Sequence, residues 1–264
     1  MGSATIQGQL WGSRAQDFAA YLEQLCLPLH GAVLDAAHVT AGTRLLDAGC
    51  GAGLLVLLAS LRGARVAALD ASAALLAIAG GRLPDADMRQ GDLEGLPFDD
   101  ASFDAVTAVN SLFYATDMAA AMRELTRVVR PGGRVVVTAW GPPDRCELLA
   151  TALAAVGPLL PPPPPGVAPP HPGALSEPGA LSAVLERAGL RVVAQGETAC
   201  PFVFPNAEVS WRANASAGVN QVAITHSGEA AVRAALAEAD RAHTRPDGSI
   251  RYDNVFLWVA GERP

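Results

Sequence analysis

Asp47, Asp70, Asp92 and Asn110 stand 23, 22 and 18 residues apart, and each ends or follows a short segment that reads as a strand. That interval is one strand–helix unit. Ligands of an open parallel sheet sit beyond the carboxyl ends of its strands. There Asp70 can accept from both hydroxyls of a ribose, and Asp92 from the exocyclic amine of a base. The alternative use of such residues is to cap the helices that follow. Between the first two acids runs Asp47-Ala48-Gly49-Cys50-Gly51-Ala52-Gly53. A glycine-rich turn brings backbone N–H groups close to a ligand. The loop is not a dinucleotide fingerprint, because Leu54 takes the last glycine position. Asp47 beside the loop is unwelcome to a pyrophosphate and suits an ammonium or a sulfonium. The set describes a cationic amino-acid nucleoside.

The elements that must hold these residues alternate. Strands are expected at 44–47, 65–70, 87–90, 103–109 and 134–140. Helices are expected at 54–62, 72–80 and 117–129. Strands alternating with helices imply an α/β fold with a doubly wound, mostly parallel sheet. Two helices, 13–27 and 29–39, are expected before it. Ser13 and Gln16 are read as a capping box, and Pro28 as the break between the helices. A strand at 190–196, a helix at 228–242 and a strand at 251–260 are expected after it, with 200–250 otherwise irregular.

The motifs resemble those of class I S-adenosylmethionine-dependent methyltransferases, in the group that includes the ubiquinone and menaquinone enzymes. They are Leu45–Gly53, Asp70-Ala71-Ser72, Gly91-Asp92 with Leu96-Pro97-Phe98, Ser102-Phe103-Asp104 and Arg127–Gly133, over roughly residues 40–140. The resemblance implies a Rossmann-like sheet of seven strands with the last one antiparallel. It implies that Asp47, Ala48, Gly49, Cys50 and Gly51 hold the methionine end of S-adenosylmethionine. Asp70 would bind the ribose, with Ala71 and Ser72 beside the adenine. Asp92 and Leu93 would read the adenine edge, and Asn110 would lie near the methyl. Such enzymes often close a helix over the cofactor, so Trp11 and Arg14 are expected to reach it.

The expected organisation is one domain. Residues 1–40 form a lid, 41–157 the cofactor core, 158–178 a Pro-rich loop, and 179–264 the end of the sheet with a substrate cap inserted at about 200–250. Trp211 and Arg212 in that cap are expected to touch the substrate, and His226 and Tyr114 are the candidate catalytic residues.

Composition narrows the function. The formal net charge is −7, which opposes nucleic-acid binding. All 19 basic residues are Arg, so chemistry that needs a lysine is excluded. The four cysteines form no C-x-x-C pair, the five histidines have no metal-ligand spacing, and no metal site is expected. No apolar run approaches a membrane span, and the N-terminus has no signal-peptide pattern. A cytoplasmic enzyme acting on a small-molecule acceptor is the expectation. A non-catalytic S-adenosylmethionine-binding protein and a nucleotide-cofactor oxidoreductase are the alternatives.

Overall fold

The computed structural model describes residues 3–162, 173 and 175–264. Most of the Pro-rich loop expected at 158–178 therefore lies outside the described residues. The strands are β1 (Arg44–Ala48), β2 (Arg65–Asp70), β3 (Asp87–Gln90), β4 (Phe103–Ala108), β5 (Val129–Trp140), β6 (Arg191–Ala199), β7 (Phe202–Phe204), β8 (Ile250–Tyr252) and β9 (Val255–Glu262). Seven of them form one sheet in the order β3-β2-β1-β4-β5-β9-β6. β9 runs antiparallel to both neighbours, and the other pairs are parallel. This is the expected doubly wound sheet with an antiparallel last strand. The order reverses between β1 and β4, which places a crevice at their carboxyl ends.

Helices cover both faces. They are α1 (Ala4–Gly12), α2 (Ala15–Asp17), α3 (Leu27–Ala36), α4 (Leu54–Leu61), α5 (Ala73–Arg82), α6 (Met118–Val128), α7 (Glu147–Val156), α8 (Ala180–Arg187), α9 (Ala207–Ala215), α10 (Gly218–Ser227) and α11 (Glu229–Asp240). Successive strand residues point to opposite faces. Leu45 accordingly joins a core with Val33 and Leu55, under α3 and α4, while Leu46 joins one with Met122 and Leu125 of α6. α6 buries Ala121, Met122, Leu125 and Val128 on one stripe, and Asp117 caps it by accepting from the Ala120 amide at 2.9 Å. Each such Leu or Met contributes about 1.5–3 kcal/mol by leaving water.

The N-terminal segment departs from the expected helix at 13–27. α1 ends there: Arg14 leaves helical geometry at φ −131° and ψ +43°, and the Ser13 hydroxyl donates back to the Leu10 carbonyl at 2.7 Å and caps nothing ahead of it. The chain then passes through α2, a π-helical turn (Phe18–Leu22) and a 3-10 turn (Glu23–Cys26). Pro28 sits in the first turn of α3, where no backbone N–H is needed, so it starts a helix.

The 200–250 segment is also more ordered than expected. It holds β7, the three helices α9–α11 and the first residue of β8, which pairs with β7. These helices share a core of Trp211, Ala215, Ala223, Val232 and Leu236, closed by Val156 of α7. The strand expected at 251–260 is divided between β8 and β9. At the junction the Asn254 side chain accepts from the Leu148 amide at 3.1 Å.

Candidate active site

The carboxyl ends of β1 to β5 open into a cavity of about 1220 Å³, mouth included. Asp47, Gly49, Cys50, Gly51, Asp70 and Ala71 line it, as do Asp92, Leu93, Asn110, Tyr114 and Trp11. The structure thus brings together most of the residues expected from the motifs.

The glycine turn is shaped by its neighbours. Gly49 has φ +86°, and a Cβ there would stand 2.3 Å from Ser111 Cβ. The Gly49 and Cys50 amides both donate to the Leu69 carbonyl, at 2.7 and 3.0 Å, which ties the turn to β2. Gly51 has φ +56°, and its Cβ would stand 3.0 Å from the Phe18 ring. Its amide donates to Asp70 Oδ2 at 2.8 Å, while the Ser72 amide donates to Oδ1 at 2.8 Å. A carboxylate has about four acceptor sites, so Asp70 keeps capacity for two more donors. Asp47 is buried and accepts from the Thr107 hydroxyl at 2.7 Å. Asn110 has φ +51° and exchanges hydrogen bonds with Thr138, both at 2.9 Å.

A third carboxylate joins these, and the motifs did not reveal it. Glu23, buried, reaches in from the N-terminal segment. Its Oε1 accepts from the Leu54 amide at 3.1 Å, capping α4, and its Oε2 pairs with Arg82 at 2.6 Å. Burial pushes Asp47 up to about 7, with the Thr107 hydroxyl opposing and Asp70 and Glu23 adding to the shift. Burial also pushes Asp70 up to about 6 against the pull of its backbone donors. Glu23 is raised by burial as well, despite Arg82. The β1–β2 half of the cavity is therefore a desolvated acidic wall.

The other half is apolar. Leu22, Cys26 and His30 line it at four-residue spacing, facing Val109, Phe113, Trp140 and Phe202. His30 is 6% exposed, and its Nδ1 has no hydrogen-bond partner among the described residues. Burial lowers it to about 4. A histidine inside the apolar stretch 27–36 was its only sequence signal.

Six expected residues do not line the cavity, while Tyr114 does. Ala48 lies wholly inside the sheet core. Ser72 caps α5, accepting from the Leu75 amide at 3.2 Å. Trp211 is 5% exposed and is consumed by the α9–α11 core. Arg212 pairs with Asp17 and donates to the Tyr21 hydroxyl, while Arg14 pairs with Glu229 at 2.7 Å. Both guanidiniums join the N-terminal segment to the cap and are spent on that contact. His226 ends α10 in an exposed position, away from the acids and from Tyr114. Tyr114 does line the cavity, edge-on to Trp11 at 5.6 Å between ring centroids. Burial raises its phenol, so it stays protonated near neutrality.

Residues 46–137 match the family model of the methyltransferase domain. The chain is 32% identical over 162 residues to an uncharacterized protein of Mycobacterium tuberculosis, covering 60% of this chain and 58% of that one. It is 39% identical over 111 residues to the demethylmenaquinone methyltransferase of Renibacterium salmoninarum, covering 42% of this chain and 47% of that one. The matched region thus spans about half the length of these curated relatives. The fold is similar to the crystal structure of an S-adenosylmethionine-dependent methyltransferase from Mesorhizobium loti, with a TM-score of 0.51 at 22% identity, covering 90% of this chain and 98% of that one.

Proposed function

We propose that this chain, whose residues 46–137 match the methyltransferase-domain model, is a class I S-adenosylmethionine-dependent methyltransferase that methylates a small, largely apolar acceptor. The observation that carries the reading is the convergence of Asp47, Asp70 and Glu23 on one cavity wall. Only Arg82 pairs with any of the three among the described residues. Carboxylates lifted so far by burial need a cation, and they repel a pyrophosphate, which opposes the oxidoreductase alternative.

The residues fit S-adenosylmethionine on the chemistry of their donor set. Asp47 and the Gly49–Gly51 turn would hold the methionine end. Asp70 would take the ribose hydroxyls on its free lone pairs. Asp92 and Leu93 would meet the adenine, and Asn110 would stand near the transferring group. When bound, the cofactor supplies an electrophilic methyl on a sulfonium that leaves as a neutral thioether. The chain's own contribution is then to position and to exclude water. Trp11, Phe18 and Tyr114 cover the opening, with Trp11 edge-on to both other rings at 5.6 Å.

The apolar half supports an uncharged acceptor, because no Arg lines it. The chain's formal charge of −7 supports a small molecule over a nucleic acid. No helix among the described residues is long and apolar enough to cross a membrane. Four free cysteines support a cytoplasmic place of action.

Titration calorimetry with S-adenosylmethionine and with NADP tests the reading. Saturable binding of the first and none of the second is expected. The reverse would replace the proposal with the oxidoreductase.

A further inference from the structure

We infer that His30 is the general base of this enzyme, and that its acceptor is an uncharged aromatic alcohol seated between Phe113, Trp140 and Phe202. The inference rests on the methyltransferase reading and adds the acceptor class and the residue that takes its proton.

Placement is the first argument. The acids that suit the cofactor end β1 and β2 or reach them from Glu23. His30 stands on α3, which packs toward β6 and β9, on the far side of the topological switch point. It shares the four-residue stripe of Leu22 and Cys26 along the cavity wall. The walls around it are aromatic and aliphatic, which suits a flat apolar ring.

The unsatisfied nitrogen is the second. A polar atom buried without a partner costs about 1–3 kcal/mol. His30 Nδ1 is such an atom, and it belongs to a residue lining a cavity that has room for a ligand. Nδ1 itself is sealed from the cavity, so an acceptor hydroxyl would donate to Nε2, the ring nitrogen that is not sealed. Packing alone would be served better by Leu or Phe.

The chemistry balances without any further reactant. The acceptor oxygen forms a bond to the methyl carbon, and the carbon–sulfur bond breaks with its electron pair remaining on sulfur. The hydroxyl proton passes to the imidazole. One positive charge leaves the sulfonium and one appears on His30, so the net charge of the closed cavity is unchanged. The imidazolium then returns its proton to water when the product leaves. Other titratable groups on the cavity wall are Glu23, Cys26, Asp47, Cys50, Asp70, Asp92 and Tyr114. Glu23 and Arg82 occupy each other, Asp47 and Asp70 are held by their own donors, and burial raises both thiols and the phenol. None of these offers a free basic nitrogen in the apolar half.

The test uses 2-naphthol as the probe acceptor, with the wild-type chain, His30→Phe and His30→Gln. Calorimetry with S-adenosylmethionine comes first. Failure of the wild type to bind it overturns the methyltransferase reading itself, separately from this one. Affinity in both variants is expected within about threefold of wild type, which also shows that they fold. Quenching of naphthol fluorescence reads acceptor binding without turnover, and His30→Gln is expected to bind it within tenfold. Methyl transfer at saturating cofactor should fall roughly 10²–10⁴-fold at neutral pH in both variants. The variants' rate should then climb with pH as the probe ionises by itself, while the wild-type rate stays flat. Unchanged kcat and pH profile in the variants would reduce His30 to packing. A wild-type chain that binds the cofactor but neither binds nor methylates 2-naphthol would overturn the acceptor class.

Discussion

The Gly51 amide donates to Asp70 Oδ2 across 2.8 Å, so the glycine turn after β1 and the end of β2 are one unit. The Ser72 amide holds the other oxygen at the same distance. The carboxylate is thus fixed before any ligand arrives. Asp70→Asn keeps the shape but turns an NH₂ toward one of these amides, and it loses an acceptor for the ribose. Cofactor affinity should fall by roughly 1–3 kcal/mol, or about 5- to 150-fold. Calorimetry reads it. Unchanged affinity would leave Asp70 as a loop fastener only.

The acid wall predicts a pH dependence. Asp47 and Asp70 are raised from 3.8 to about 7 and about 6. Stability from such groups is complete below about pH 3.8 and is lost as pH rises through 6 to 7. His30, lowered from 6.5 to about 4, has the opposite sign and adds stability as pH rises from 4 to 6.5. The thermal shift produced by a ligand in the cofactor half, on the same protein, largely cancels His30. That shift should grow from pH 5 to 7.5 for S-adenosylmethionine, which meets ionised carboxylates with a cation. It should grow less for S-adenosylhomocysteine, whose sulfur is neutral. Equal slopes for the two would remove the sulfonium from the electrostatics of this wall.

Legibility followed sequence distance. Asp47 and Asp70 could be read because each stands at the end of a strand that opens a repeating strand–helix unit, and the glycines that follow Asp47 are rare in strands and helices. Asp117 could be read because its partner amide lies three residues on. Glu23 could not, since its partners Leu54 and Arg82 lie 31 and 59 residues away. An acid on an amphipathic stretch looks like solvent surface until the fold supplies those partners. His30 was hidden likewise within apolar neighbours. Trp211, Arg212 and His226 failed in the opposite way. They looked functional because 200–250 showed no strong period, yet helices there bury Trp211 against residues of α10 and α11.

Trp211 therefore predicts a stability effect. Trp211→Ala removes the largest side chain of the cap core, at about 3–5 kcal/mol. A melting temperature lowered by roughly 6–20 °C is expected for a chain of this size. His226→Ala, at an exposed helix end, should stay within about 0.5 kcal/mol of wild type. Its methyl transfer should also be unchanged. A kcat loss in His226→Ala with a normal melting curve would restore it as a catalytic candidate.

The remaining prediction concerns how the cavity opens. α1, Trp11 and Phe18 lie over the cofactor half, so lifting this segment would widen the path for a ligand. Two surface pairs tie it to the cap. Arg212 reaches Asp17 through two nitrogens and Tyr21 through a third, and Arg14 reaches Glu229. Arg212 and Glu229 are substantially exposed, so solvent screens both pairs, and each is worth about 0–1 kcal/mol. Arg212→Ala should thus barely move the melting temperature. It should raise the cofactor dissociation rate by up to about fivefold, because the free energy it removes is specific to the closed state. The effect should shrink with added salt, as a screened pair requires. Stopped-flow displacement of S-adenosylhomocysteine, using the fluorescence of Trp11 in the lid, reads the rate. An unchanged rate at low salt would mean that α1 is held by its packing on α5 and α10, and that the ion pairs only decorate a lid closed by other contacts.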